Sequence, residues 1–94
     1  MIAKDKQWRS ASYLKYIRSF PCCWCGSDEN IQSHHLRGFG LDGGTGLKPS
    51  DCYTIPLCPI CHAEVHKNQY IIDQPRALSL TLGNAIKSGR LVFK

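Results

Sequence analysis

The chain has 94 residues and a formal charge of +5, with a pI near 9.0. That length allows one small domain and not two, and no apolar run is long enough to cross a bilayer. A basic excess on so small a domain favours a polyanionic partner, nucleic acid first among them. The first residues, Met1-Ile2-Ala3-Lys4-Asp5-Lys6-Gln7-Trp8, are charged and lack the apolar core of an export signal, so a cytoplasmic location with no membrane association is expected.

In chain order, residues 1–9 are polar and are expected to be loose. Residues 10–20 read as a helix, because Tyr13, Ile17 and Phe20 fall on one face with Leu14 beside them, and Pro21 ends it. Residues 31–36 read as a short strand. Residues 37–50 hold five glycines (Gly38, Gly40, Gly43, Gly44 and Gly46) and are expected to be an irregular, mobile loop. Residues 53–57 read as a second strand, whose Pro56 is tolerated only at an edge or an end. Pro59 suits the first turn of a helix running to about Asn68. Asp73 is a good N-cap for a last helix, with Pro75 near its start, Leu78, Leu82, Ala85 and Ile86 at helical spacing, and Gly89 as its stop. That helix is expected to cover the core or to make a dimer contact. The fold class is therefore α+β, a single domain over residues 1–94.

Six cysteines in a short chain can mean disulfides. Here the cysteines sit in C-x-x-C pairs beside histidines, which in a reducing compartment means metal. Cys22 with Cys25, and Cys58 with Cys61, are two pincers able to close one tetrahedral structural Zn²⁺ site. Cys23 can take the place of Cys22 in a tighter C-x-C pair; otherwise Cys23 and Cys52 are expected to be small buried free thiols.

The remaining chemistry lies in four histidines, His34, His35, His62 and His66. His62 and His66 are four residues apart on the predicted helix, roughly 40° around its axis, so they point the same way. Cys61 is turned from His62 by about 100° and faces the knuckle instead. His34 and His35 are neighbours on a strand and point to opposite faces, so one can complete a metal site while the other stands beside it. The competing arrangement is a single finger of Cys58, Cys61, His62 and His66. It asks two consecutive residues to reach one ion and leaves Cys22 and Cys25 unused. Three imidazoles holding a divalent ion with open positions, next to a free histidine, is equipment for hydrolysis.

The order C-x-x-C, His-His, glycine-rich loop, C-x-x-C-His-x-x-x-His resembles the HNH, or ββα-metal, endonucleases over a motif core at residues 21–68. Within that superfamily it is similar to the small phage and prophage recombination-associated (Ref-like) proteins, a likeness carried by Gly44-Thr45-Gly46-Leu47-Lys48-Pro49-Ser50-Asp51 ahead of Ile55-Pro56-Leu57-Cys58. The resemblance implies a small ββα-metal domain with a four-cysteine structural zinc, flanked by an N-terminal and a C-terminal helix. It makes His34, His62 and His66 the ligands of the catalytic metal and His35 the general base. It implies DNA hydrolysis with low sequence specificity and 5′-phosphate products, and a recombination protein as a further partner. In the family the middle Asn shapes the loop and orients the base; here Tyr53 stands in that neighbourhood, and Asp51 is the acid nearby.

The catalytic ion is expected to be Mg²⁺, Mn²⁺, Ni²⁺ or Zn²⁺, with imidazole ligands favouring the last three over Mg²⁺. Arg37, Lys48 and Lys67 are the expected DNA contacts, with Lys4, Lys6 and Arg9 adding nonspecific attraction. The alternative function is a zinc-stabilised nucleic-acid-binding module that does not cleave.

Overall fold

The structure, a computed structural model, describes residues 7–37, 39 and 48–91. The glycines at 38, 40, 43, 44 and 46, and Lys4 and Lys6, lie outside those residues. The described elements are α1 (Ala11–Ile17), β1 (Gln32–His35), β2 (Thr54–Leu57), α2 (Pro59–Lys67) and α3 (Gln74–Lys87). β1 and β2 form an antiparallel two-stranded sheet, and α2 follows β2 directly.

α1 starts at Ser10, whose hydroxyl accepts from the Tyr13 amide. It stops at Ile17, three residues short of Phe20. Pro21 bars its predecessor from helical geometry, and the chain leaves through tight turns that join Ser19 N to Tyr16 O and Phe20 N to Ile17 O. Tyr13 and Ile17 are buried as their spacing required, while Phe20 stands edge-on to Tyr16 at 4.9 Å between ring centroids. The segment just before α1 is not loose. The Trp8 carbonyl accepts from the Asp51 amide at 2.8 Å, the Trp8 amide donates to the Ser50 hydroxyl at 2.8 Å, and the Trp8 ring meets Tyr13 edge-on.

The sheet register pairs Gln32 with Leu57, Ser33 with Pro56, His34 with Ile55 and His35 with Thr54. All of β2 is buried. Pro56 fits because β2 is an edge strand, and its carbonyl accepts from the Cys23 amide at 2.9 Å, tying the first knuckle to the sheet. Asn30 enters β1 from the left-handed region (φ 53°), a conformation asparagine tolerates better than most side chains.

α2 turns Cys61 and Val65, four apart, into the core, and His62 and His66 lie about 100° round from them. The main core joins Cys22, Ile31, Leu36, Ile55, Leu57, Cys58, Cys61, Val65 and Leu78, so the cysteine knuckles are part of the core rather than an appendix to it. Each fully buried aliphatic side chain there contributes about 1.5–3 kcal/mol. A smaller cluster, Tyr13, Ile17 and Ala85, joins α1 to α3.

α3 is capped by Asp73, which accepts from the Arg76 amide at 3.1 Å. It ends in a Schellman motif: Gly89 is left-handed (φ 78°), Gly89 N bonds Ile86 O and Arg90 N bonds Ala85 O. Leu78 and Ala85 are buried, but Ile86 is 42% exposed. Two expectations for the loose cysteines fail in part: Cys23 is exposed, because Pro56 holds its backbone on the outer edge of the sheet, and Cys52 is only half-buried.

Candidate metal centres

The sulfurs of Cys22, Cys25, Cys58 and Cys61 all lie within 4.8 Å of one another. Cys25 Sγ and Cys58 Sγ are 3.6 Å apart. A tetrahedral zinc with bonds of about 2.3 Å separates its sulfurs by about 3.8 Å, so the four cysteines fit one structural zinc. Both pincers are built by backbone. Gly26, left-handed at φ 80°, closes the first by donating to the Cys22 carbonyl. In the second, Cys58 is the N-cap of α2 and accepts from the Cys61 amide, placing two sulfurs at the positive end of a helix. Burial disfavours the Cys22 thiolate, but backbone groups of Cys25, Cys58 and Trp24 outweigh it and bring its pKa down to about 6. Burial and the neighbouring thiols push Cys61 up. Four sulfurs this close cannot all be charged without a cation among them, and a divalent ion removes that conflict.

The second group is His34, His62 and His66, whose ring nitrogens also lie within 4.8 Å of one another. His62 Nε2 and His66 Nε2 are 3.1 Å apart, close to the roughly 3.3 Å edge of a tetrahedral zinc–imidazole site. The donor set therefore suits a second divalent ion. His34 is buried; burial first, then the neighbouring imidazoles, hold its pKa down at about 4, against the pull of its bond to Gln74. It is therefore neutral at physiological pH, the form that binds metal. Burial and His66 lower His62 as well. His62 Nδ1 is hydrogen-bonded to Gln32 Oε1, which leaves Nε2 toward His66.

His35 is not a member of this group, as the alternation of a strand leads one to expect, but it lines the same cavity. Its Nε2 is 2.8 Å from Asp51 Oδ1. Asp51 is 3% exposed, and burial alone would raise its carboxyl. Bonds from His35 and the Ser10 amide, with Arg9 close by, outweigh burial and set its pKa below the usual carboxylate value. A carboxylate at 2.8 Å accepts the proton on Nε2, so Nδ1 of His35 carries the lone pair. Burial lowers the His35 pKa, and Asp51 only partly offsets this, so the ring is held neutral with a basic nitrogen.

Asp51 is itself anchored. Its other oxygen accepts from the Ser10 amide at 2.8 Å, its carbonyl accepts from the Thr54 hydroxyl at 2.8 Å, and Arg9 reaches the Lys48 carbonyl at 2.7 Å and the Pro49 carbonyl. Arg9 is thus a brace for this loop rather than a free surface charge.

A cavity of about 460 Å³ lies over both histidine sites. Arg37, Lys48 and Lys67 line it together with His34, His35, His62 and His66, and among the described residues no carboxylate does. All three expected DNA-contact residues therefore meet at one opening. Spacing alone divides the four cysteines and the pair His62 and His66 between two groups, as the structure does; that His34 rather than His35 joins the second group was implied by the family resemblance and not by spacing. What spacing missed were Asp51 and Gln74. Asp51 was visible only as the acid nearest the motif. Gln74 carries no signal in the sequence, where its helix is a core cover or a dimer contact, yet its side chain reaches His34 Nε2 at 3.0 Å.

No solved structure matches this chain. A relative, the "Uncharacterized protein YdfU" of Escherichia coli (strain K12), is 31% identical over 81 residues, which is 86% of this chain and 23% of that protein. The chain therefore spans less than a quarter of that relative's length. The family model described as "Protein of unknown function (DUF968)" matches residues 1–84, and the chain belongs to that family.

Proposed function

We propose that the chain is a metal-dependent endonuclease of the HNH type, hydrolysing phosphodiester bonds in DNA with little sequence preference. One observation carries this reading: an imidazole fixed by a carboxylate, His35 on Asp51, stands next to a three-imidazole centre in a cavity whose described lining has cations and no acids. A closed structural zinc site needs neither the adjacent base nor the opening. A nucleic-acid-binding module has no use for an oriented, neutral histidine.

His34, His62 and His66 would hold the divalent ion, which when bound supplies charge stabilisation at the phosphate and the departing oxygen. The other steps belong to the chain's own residues. Arg37, Lys48 and Lys67 draw the phosphodiester into the cavity and offset its charge. His35 Nδ1 takes a proton as water attacks phosphorus, the bond from phosphorus to the 3′-oxygen breaks, and the departing 3′-oxygen takes a proton from solvent water, leaving a 5′-phosphate and a 3′-hydroxyl. Asp51 fixes the tautomer of His35 and stabilises the imidazolium that forms, the role of the carboxylate in a Ser-His-Asp triad.

The test is relaxation of supercoiled plasmid with Mn²⁺, Ni²⁺, Zn²⁺ or Mg²⁺. We expect nicking with the first three to exceed that with Mg²⁺, because nitrogen ligands disfavour it, and chelator to abolish it. His66→Ala is expected to keep one zinc per chain, lose the second ion and lose nicking. DNA binding without nicking under every ion would instead favour the non-cleaving module.

Asp51→Ala is expected to slow nicking by about 10- to 100-fold, as for loss of a residue that orients a reacting group. It is also expected to cost about 1–3 kcal/mol of stability, because the Ser10 amide and Arg9 lose their partner. Denaturant melts and metal counting separate the two effects; unchanged nicking at full metal occupancy would remove Asp51 from the mechanism.

A further inference from the structure

We propose that Gln74, at the start of α3, is a positioning residue that determines which nitrogen His34 presents to metal. This rests on the three-imidazole group being a metal site, as proposed above. Gln74 is 1% exposed, and a buried amide must satisfy both its ends. Its Nε2 donates to the Gln69 carbonyl at 2.6 Å. A carbonyl can only accept, so this bond fixes which way round the amide lies. The end facing His34 Nε2 at 3.0 Å is therefore Oε1, also a pure acceptor. His34 Nε2 must carry the hydrogen, and Nδ1 is left with the lone pair, the one available to a metal.

The backbone that carries this lock is itself ordered. Gln69 follows the C-cap of α2, Tyr70 N bonds Asn68 Oδ1, Ile71 N bonds Asn68 O, and Gln74 N bonds Ile72 O. The turn between α2 and α3 thus holds Gln74, at the start of α3, against a ligand on β1. Gln32 Oε1 meets the other ring nitrogen of His62, Nδ1, and leaves Nε2. The two glutamines prepare one Nδ1 and one Nε2 donor before any ion arrives.

The choice of an amide has a physical reason. Metal-bound histidines are commonly oriented by carboxylates, which add negative charge. An amide gives the same orientation without adding an acidic group to the described lining of the cavity, as suits an anionic substrate.

The experiment uses the full chain with its cysteine zinc retained. Two-bond ¹H–¹⁵N correlation spectra of the histidine rings, before a second ion is added, are expected to show His34 as the Nε2–H tautomer. Co²⁺ titration followed by absorbance then measures the second site. Gln74→Met, close in size and unable to accept, is expected to mix the His34 tautomers and weaken Co²⁺ binding by about 10- to 100-fold. Gln74→Glu is expected to restore both, and zinc should stay at one per chain throughout.

An Nδ1–H tautomer in the unsubstituted chain overturns the proposal without need of any variant. Equal Co²⁺ affinity in Gln74→Met overturns it while the metal site stands. Failure of the unsubstituted chain to take up a second ion overturns the metal site, and the role of Gln74 with it.

Discussion

His35→Ala is expected to leave a folded protein with both metals and to slow plasmid nicking by about 10²–10⁴-fold, the range for loss of a general base. The fold should survive because the polar bond it loses, to Asp51, is replaceable. Asp51 keeps the Ser10 amide and the neighbouring Arg9, so the carboxylate is not stranded. The lost bond and packing should cost about 1–3 kcal/mol. The metals should survive because His35 is outside the group formed by His34, His62 and His66 and is bonded to Asp51 instead. Nicking rates at saturating metal, read beside metal content, decide the matter. A variant that nicks like the unsubstituted chain would take the base role away from His35 and, with it, the feature that separates an enzyme from a binding module.

Cys58→Ser is expected to unfold the domain, and it tests the other metal. Serine is a favourable N-cap, so α2 keeps its first-turn capping and the substitution isolates the loss of a sulfur ligand. Structural zinc sites contribute about 10–16 kcal/mol of apparent binding free energy in small domains, whereas a whole domain has a net stability of about 5–15 kcal/mol. Losing the site therefore exceeds what the rest of the core can offset. The core makes this worse, since Cys22, Cys58 and Cys61 are members of the same buried cluster as Ile55, Leu57 and Val65. We expect zinc to be absent, far-UV circular dichroism to lose its helical signal, and the thermal transition to vanish at room temperature. A cooperative melt near that of the unsubstituted chain would show that the cluster is not what holds the fold.

Much of this molecule was legible because its signals are local. Cysteine spacing, the i, i+4 pair on α2, the alternation of His34 and His35, and the caps at Asp73 and Gly89 each depend on a few neighbouring residues, and the structure has them all. The parts that were missed depend on the tertiary arrangement. Asp51 meets His35 across 16 residues and Gln74 meets His34 across 40, through side chains whose partners no periodicity announces. α1 ends at Ile17, three residues before the Phe20 that Pro21 restricts, with tight turns between. The exposure of Cys23 follows from which edge of the sheet its backbone occupies.

The brace at residues 8–10 has a practical consequence. Trp8, Arg9 and Ser10 together grip residues 48–51, and through Asp51 they set the angle at which the imidazole of His35 stands. Trimming the chain back to Ala11 would therefore blunt the proposed proton acceptor while leaving the proposed metal ligands in place, a loss easily mistaken for damage to the metal centre itself.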